Sequence, residues 1–184
     1  GSSDNPLKVA IVGAGPSGFY AADALITSEL KVEVNLIEKL CAPYGLVRTG
    51  VAPDHPLIKK SIEKFAVMAE PEEFNYFGNV AVGKDITVDQ LKESHHAVII
   101  TMGAETDRKL GIPGEDLKGS HTATEFVAWY NGHPEYRERE FDLSHETAVI
   151  IGQGNVAADV ARILSKTVDE LKCTDISQHA LDVL

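Results

Sequence analysis

Cysteine is scarce in this chain: Cys41 and Cys173 are the only two, far apart, and no Cys-x-x-Cys pair occurs. Neither a redox-active disulfide nor a zinc site is therefore expected, and both thiols read as inert. Basic residues are also short, with 17 Lys and Arg against 28 Asp and Glu for a net charge of −11. The longest basic run is Lys59-Lys60, so the basic patch that nucleic-acid phosphates require is missing. No stretch approaches the ~20 consecutive apolar residues that span a bilayer, and the chain reads as soluble. Tandem repeats and low-complexity tracts are absent. His95-His96 has no acid or cysteine cluster beside it, so it reads as packing and no metal site is expected.

What remains is an ordinary globular composition, 43% hydrophobic and 24% charged, over 184 residues. That length accommodates one large or two small domains at ~100–150 residues each. Gly1-Ser2-Ser3 reads as an expression remnant, so any targeting peptide is invisible here.

Two glycine-rich turns organise the sequence. The first follows an apolar run, Lys8-Val-Ala-Ile-Val, and reads Gly13-x-Gly15-x-x-Gly18. A short run of this kind is expected of a parallel strand buried on both faces. Phe19, Ala22 and Leu25 then recur at helical spacing, and Val32 to Ile37 forms a second strand ending at Glu38. In such a βαβ unit the first glycine permits the tight turn, the second admits a pyrophosphate close to backbone, and the third lets helix and strand pack closely. Glu38 lies 20 residues after Gly18, where an acid accepts hydrogen bonds from ribose hydroxyls. The second turn reads Gly152-Gln-Gly154-Asn-Val-Ala157 after Ala148-Val-Ile-Ile151. Alanine is a permitted third small residue, and a strand and helix are expected from Ala148 to about Leu164. An acid or an arginine pair belongs at the end of the following strand. The segment Asp175 to Leu184 instead reads as helix, so the second domain is expected to be truncated.

Between the two turns, residues 40–56 hold Pro43, Gly45, Gly50, Pro53 and Pro56, too many breakers for regular structure. A long ordered loop beside a nucleotide turn is usually functional. A helix is expected from Pro56 to about Ala69, a strand at Val80 and Val82, and a capped helix after Thr87 and Gln90. A buried strand is expected at Ala97 to Thr101. Gly111-Ile-Pro-Gly114 reads as a linker, and Thr122 with Glu125 as a second capping box opening a helix through Trp129 and Tyr130. Those two aromatics read as core or interface residues.

The segments Gly13-Ala-Gly-Pro-Ser-Gly-Phe-Tyr20, Tyr44-Gly-Leu-Val-Arg-Thr-Gly-Val-Ala-Pro-Asp-His-Pro56, Gly78-Asn-Val-Ala-Val-Gly83 and Gly152-Gln-Gly-Asn-Val-Ala-Ala-Asp-Val-Ala-Arg162 resemble the adrenodoxin reductase and ferredoxin–NADP reductase family, from about Lys8 to Leu184. The loop from Tyr44 to Pro56 is the most distinctive. The resemblance implies an α/β chain: a Rossmann-like FAD-binding domain at residues 1–106, then the truncated start of a Rossmann-like NADP-binding domain at 107–184. It implies FAD contacts at Gly13, Gly15, Ser17, Gly18, Glu38, Leu46 and Val82, and NADP contacts at Gly152, Gln153, Gly154 and Asn155. It further implies that His55 and Asp159 handle protons near the flavin. The implied reaction of the longer parent is hydride transfer from NADPH to FAD, then single electrons to a ferredoxin- or adrenodoxin-like iron–sulfur protein. The setting would be the bacterial cytoplasm or the mitochondrial matrix.

Plainer readings stand beside these. His55 is equally a cap for the helix that starts at Pro56, and Asp159 a surface acid favoured by a helix dipole. Arg48 is a minor candidate for steadying a phosphate or carboxylate. A flavoprotein subunit of an amidotransferase-type enzyme, such as that of glutamate synthase, would share the architecture, and a nucleotide-binding module without turnover is the third reading. Family members are about two and a half times this length and return to the FAD domain after the NADP domain. This chain alone is therefore expected to hold flavin weakly and to show no turnover.

Overall fold

The computed structural model describes residues 1–104 and 106–184. They form two compact units, one from Gly1–Arg48 with Lys59–Gly103, the other from Thr49–Ile58 with Ala104–Leu184.

In the first unit, β1 (Leu7–Val12) leads through the glycine turn into α1 (Pro16–Ile26) and then β2 (Val32–Ile37). Two single turns follow, α2 (Leu46–Thr49) and α3 (Pro56–Lys59), which straddle the boundaries of the two units. Next come α4 (Ser61–Met68), β3 (Phe74–Phe77), α5 (Val88–Ser94) and β4 (Ala97–Ile100). The four strands form one parallel sheet in the order β3-β2-β1-β4. The central strand β1 registers Leu7 with Val32 on one side and Val9 with Ala97 on the other. Because side chains alternate along a strand, two cores result. Val9, Ile11, Val34 and Leu36 face Phe19 and Ala22 of α1 and Phe65 and Met68 of α4. Ala10, Val12 and Ile37 face Leu91 of α5. The expected burial of β1 on both faces is therefore present.

Several expected elements differ. β4 is an outer strand, with Ile100 52% exposed, because the sheet ends there; its apolar run does not report burial. Val80 and Val82 form no strand, and Val82 makes a single parallel bridge to Ile86. The strand that does pair outside β2 is Phe74–Phe77, whose half-exposed pattern carries no alternation. The helix expected over 56–69 is two pieces, α3 and α4, with Lys60 as the cap of α4. The capping box at Thr87 and Gln90 is complete.

In the second unit, α6 (Ala123–Tyr130), α7 (Asn155–Ser165), α8 (Val168–Leu171) and α9 (Gln178–Leu181) surround a core of Phe126, Trp129, Tyr130, Phe141, Val160, Ile163 and Leu171. Thr122 accepts from the Glu125 amide at 3.3 Å, but the Glu125 carboxylate pairs with Arg139 at 3.1 Å, so the box is half-formed. The strand expected at Ala148 to Ile151 is absent. Val149 and Ile151 are 83% and 70% exposed, since among the described residues of this unit no strand lies alongside to pair with them. The expected helix over 175–184 is the single turn α9.

Candidate functional sites

The first site lies at the carboxyl ends of β1 and β2, where parallel sheets hold their ligands. Its three glycines do different things. Gly13 has φ +104°, and a Cβ there would meet the Thr101 carbonyl oxygen at 2.6 Å. A Cβ on Gly18 would meet the Gly13 oxygen at 2.1 Å, so Gly18 is required by packing. Gly15 is the opposite case: a Cβ there would have nothing within 4 Å. It is also the N-cap of α1 and gives that helix no side-chain cap. Ser17 is exposed in the first turn of α1.

Glu38 closes onto this turn. Its carboxylate accepts from the Ala14 amide at 2.8 Å and from the Leu40 amide at 3.1 Å, so it pins the glycine turn as well as ending β2. The Val80 amide donates to the Glu38 carbonyl at 2.9 Å, which brings the segment leading to half-buried Val82 against the same strand end. The distinctive loop is tied in by Tyr44, whose amide donates to the Ala14 carbonyl at 2.7 Å. Its ring lies 5.3 Å from that of Phe19, and its φ of 89° is rare for a bulky residue. Leu46, two residues on, is 65% exposed. Arg48 donates to the Pro43 carbonyl at 3.0 Å and lies over the Tyr44 ring, which makes it a brace for the loop. Tyr76 donates to the Leu40 carbonyl, and burial, with Glu38 adding, pushes its phenol up to about 12.

The second site opens α7. Gly152 has φ +144°, Gly154 is an N-cap without side-chain capping, and Gln153 and Asn155 are exposed beside it. The contrast with α5, α6 and α8 is direct, since Thr87, Thr122 and Thr167 each accept from an amide of the helix they begin. The two glycine-turn helices leave their first amides to another acceptor, and a helix N-terminus favours an anionic one.

Also within the second unit, His55 and Asp159 meet, with His55 Nε2 3.1 Å from Asp159 Oδ1. Three neighbours that had no assigned role complete a charged cluster. Arg162 forks onto Asp54 through Nε at 2.5 Å and Nη2 at 2.7 Å, and its Nη2 also donates to Asp159 at 2.8 Å. Lys166 donates to Asp54 at 2.6 Å. Asp54 is 7% exposed. Hydrogen bonds from Arg162 hold its carboxyl well below the usual carboxylate range, with burial opposing and Lys166 adding. The i,i+3 spacing of Asp159 and Arg162 on α7, with Lys166 at its C-cap, is the readable signal. The pairing of Arg162 and Lys166 with Asp54, 108 residues from Arg162, is not.

A parallel sheet with a glycine turn at its carboxyl end, and a second such turn opening α7, define a dinucleotide-binding α/β protein. The chain belongs to the pyridine nucleotide-disulphide oxidoreductase family, which it matches over residues 7–183. It is 56% identical over 177 residues to the mitochondrial NADPH:adrenodoxin oxidoreductase of Salvelinus fontinalis, covering 96% of this chain and 36% of that protein. It is 52% identical to the NADPH-ferredoxin reductase FprA of Mycobacterium leprae, covering 96% of this chain and 40% of that one. Among solved structures, FprA of Mycobacterium tuberculosis in complex with NADPH superposes with a TM-score of 0.94 at 50% identity, covering 98% of this chain and 41% of that one. The chain thus spans about two fifths of the length of these relatives. Among the described residues no helix is long and apolar enough to cross a membrane.

Proposed function

We propose that this chain is the dinucleotide-binding part of an NADPH-dependent flavoprotein oxidoreductase, with FAD at the first glycine turn and NADPH at the second. The observation that carries the reading is the pair of 11-residue helices, α1 and α7, each begun by a glycine that supplies no cap. The open space at Gly15 suits a pyrophosphate, and the Glu38 carboxylate, accepting one amide on each oxygen, has lone pairs left for ribose hydroxyls. Residues 1–106 would supply most of the FAD site, with Gly13, Gly15, Ser17 and Gly18 at the pyrophosphate and Leu46 and Val82 along the rest. Residues 107–184 would begin the NADP site at Gly152, Gln153, Gly154 and Asn155. FAD, when bound, takes a hydride from the nicotinamide and releases electrons singly. The protein's part is to bind and orient the nucleotides, while His55 and Asp159 hold a proton between them.

The relatives named for adrenodoxin and ferredoxin support an iron–sulfur protein as the electron acceptor and an intracellular setting, the mitochondrial matrix or the bacterial cytoplasm. Their names also favour NADPH over NADH, in keeping with Ala157 as the third small residue of the second turn. Rapid mixing of the full-length flavin-loaded protein with each nicotinamide tests the reading. NADPH is expected to bleach the flavin absorbance faster than NADH, and a ferredoxin to restore it. Equal or faster bleaching by NADH, or none with either, would overturn it.

A further inference from the structure

The hydrogen count around Arg162 decides how His55 is held. Arg162 Nη2 carries two hydrogens but faces three polar atoms: Asp54 Oδ1 at 2.7 Å, Asp159 Oδ1 at 2.8 Å and His55 Nε2 at 2.8 Å. Bonds to ionised carboxylates are the stronger ones, so both hydrogens go to the two aspartates. A bare Nε2 would then face the Asp159 oxygen at 3.1 Å, lone pair against lone pair. The arrangement is satisfied only when Nε2 carries a hydrogen and donates it to Asp159.

Arg162 is itself immobilised. Its Nε bonds the other Asp54 oxygen, which Lys166 also holds at 2.6 Å. From α6, Tyr130 faces the same cluster. Its hydroxyl is buried without a hydrogen-bond partner among the described residues. Burial, with Asp159 and Asp54 adding, raises its phenol far above its ordinary value, so it stays protonated and offers no competing base. Among the described residues, Asp54, Asp159, Arg162 and Lys166 thus form one charged network beside His55, with Tyr130 facing its aspartates.

We propose that Arg162 is the positioning residue of the His55–Asp159 pair. Anchored on Asp54, it fixes the Asp159 carboxylate where His55 can meet it only through a protonated Nε2. His55 Nδ1 takes no part in these contacts. The idea rests on the proposed role of this pair in the flavin reaction, so its test reads the imidazole directly.

In this chain labelled with nitrogen-15 histidine, the His55 proton is expected on Nε2 as a hydrogen-bonded, slowly exchanging resonance. Arg162→Gln, which removes the charge and the fork, should speed exchange of that proton by roughly tenfold or more. Arg162→Lys, which restores the charge alone, should recover part of the protection. In the full-length flavin-loaded protein, Arg162→Lys should slow flavin reduction, and adding His55→Gln should bring less than the product of the two single effects. A wild-type proton on Nδ1, or a ring signal unmoved by Arg162→Gln, would overturn the proposal. The expected ring signals with unaltered flavin reduction would leave the positioning intact and sink the functional role of the pair.

Discussion

At the scale of single residues, the glycines of the first turn separate into positions fixed by packing and one, Gly15, that packing leaves open. Gly18→Ala drives a Cβ to 2.1 Å from the Gly13 carbonyl oxygen, and overpacking of this kind costs ~1–3 kcal/mol or more. Gly15→Ala meets nothing within 4 Å, so its melting temperature should match or exceed that of the parent chain while nucleotide affinity falls. Thermal melts with ADP titrations of both variants check this, and equal stability loss in the two would refute the division. Asp54 is expected to contribute to the acid limb of the second unit's stability. Its folded carboxyl lies well below the ordinary value of ~3.9, so between those two values the unfolded chain binds the extra proton and stability rises with pH. The contribution is complete above pH ~4 and is lost as pH falls through the depressed folded value. Asp54→Asn should therefore flatten the acid limb of a denaturation-versus-pH curve. An unchanged limb would mean that the fork carries no such linkage.

At the scale of elements, hydrogen exchange distinguishes the two glycine turns. Amides of β1 and β2, paired in the middle of the sheet, should exchange among the slowest. The amides of Val149 and Ile151, exposed and outside any strand among the described residues, should exchange without protection; protection there would reveal a strand. The same contrast explains what could be read in advance. The first βαβ unit was legible because its apolar runs, glycine spacing and Glu38 lie within one continuous stretch and describe one another. The second turn has the same local signature, yet its strand does not form, because a parallel strand depends on a neighbour that local sequence does not contain. Phe74–Phe77 was invisible for the converse reason: its pairing with Val34–Ile37 is long-range, and its exposure erases the alternation. α8 is legible through Thr167 and Glu170, a complete capping box. The family resemblance singles out His55 and Asp159, which meet in the structure, whereas the contacts that link Asp54 and Arg162 to them depend on three-dimensional proximity.

At the scale of the whole molecule, a net charge of −11 and two fifths of the relatives' length describe a chain that carries two nucleotide turns. On the proposed reading, the Gly15 turn, Glu38 and the Val82 segment would hold the adenosine half. The most direct measurement is therefore a titration of the nitrogen-15-labelled chain with ADP and then FAD, followed by amide shifts. ADP at roughly millimolar concentration should move the amides of Gly13 to Gly18, Glu38 and Val80 to Val82, and Glu38→Ala should weaken the response. Silence at the first glycine turn, or shifts confined to other parts of the chain, would contradict the assignment of that turn as the FAD site.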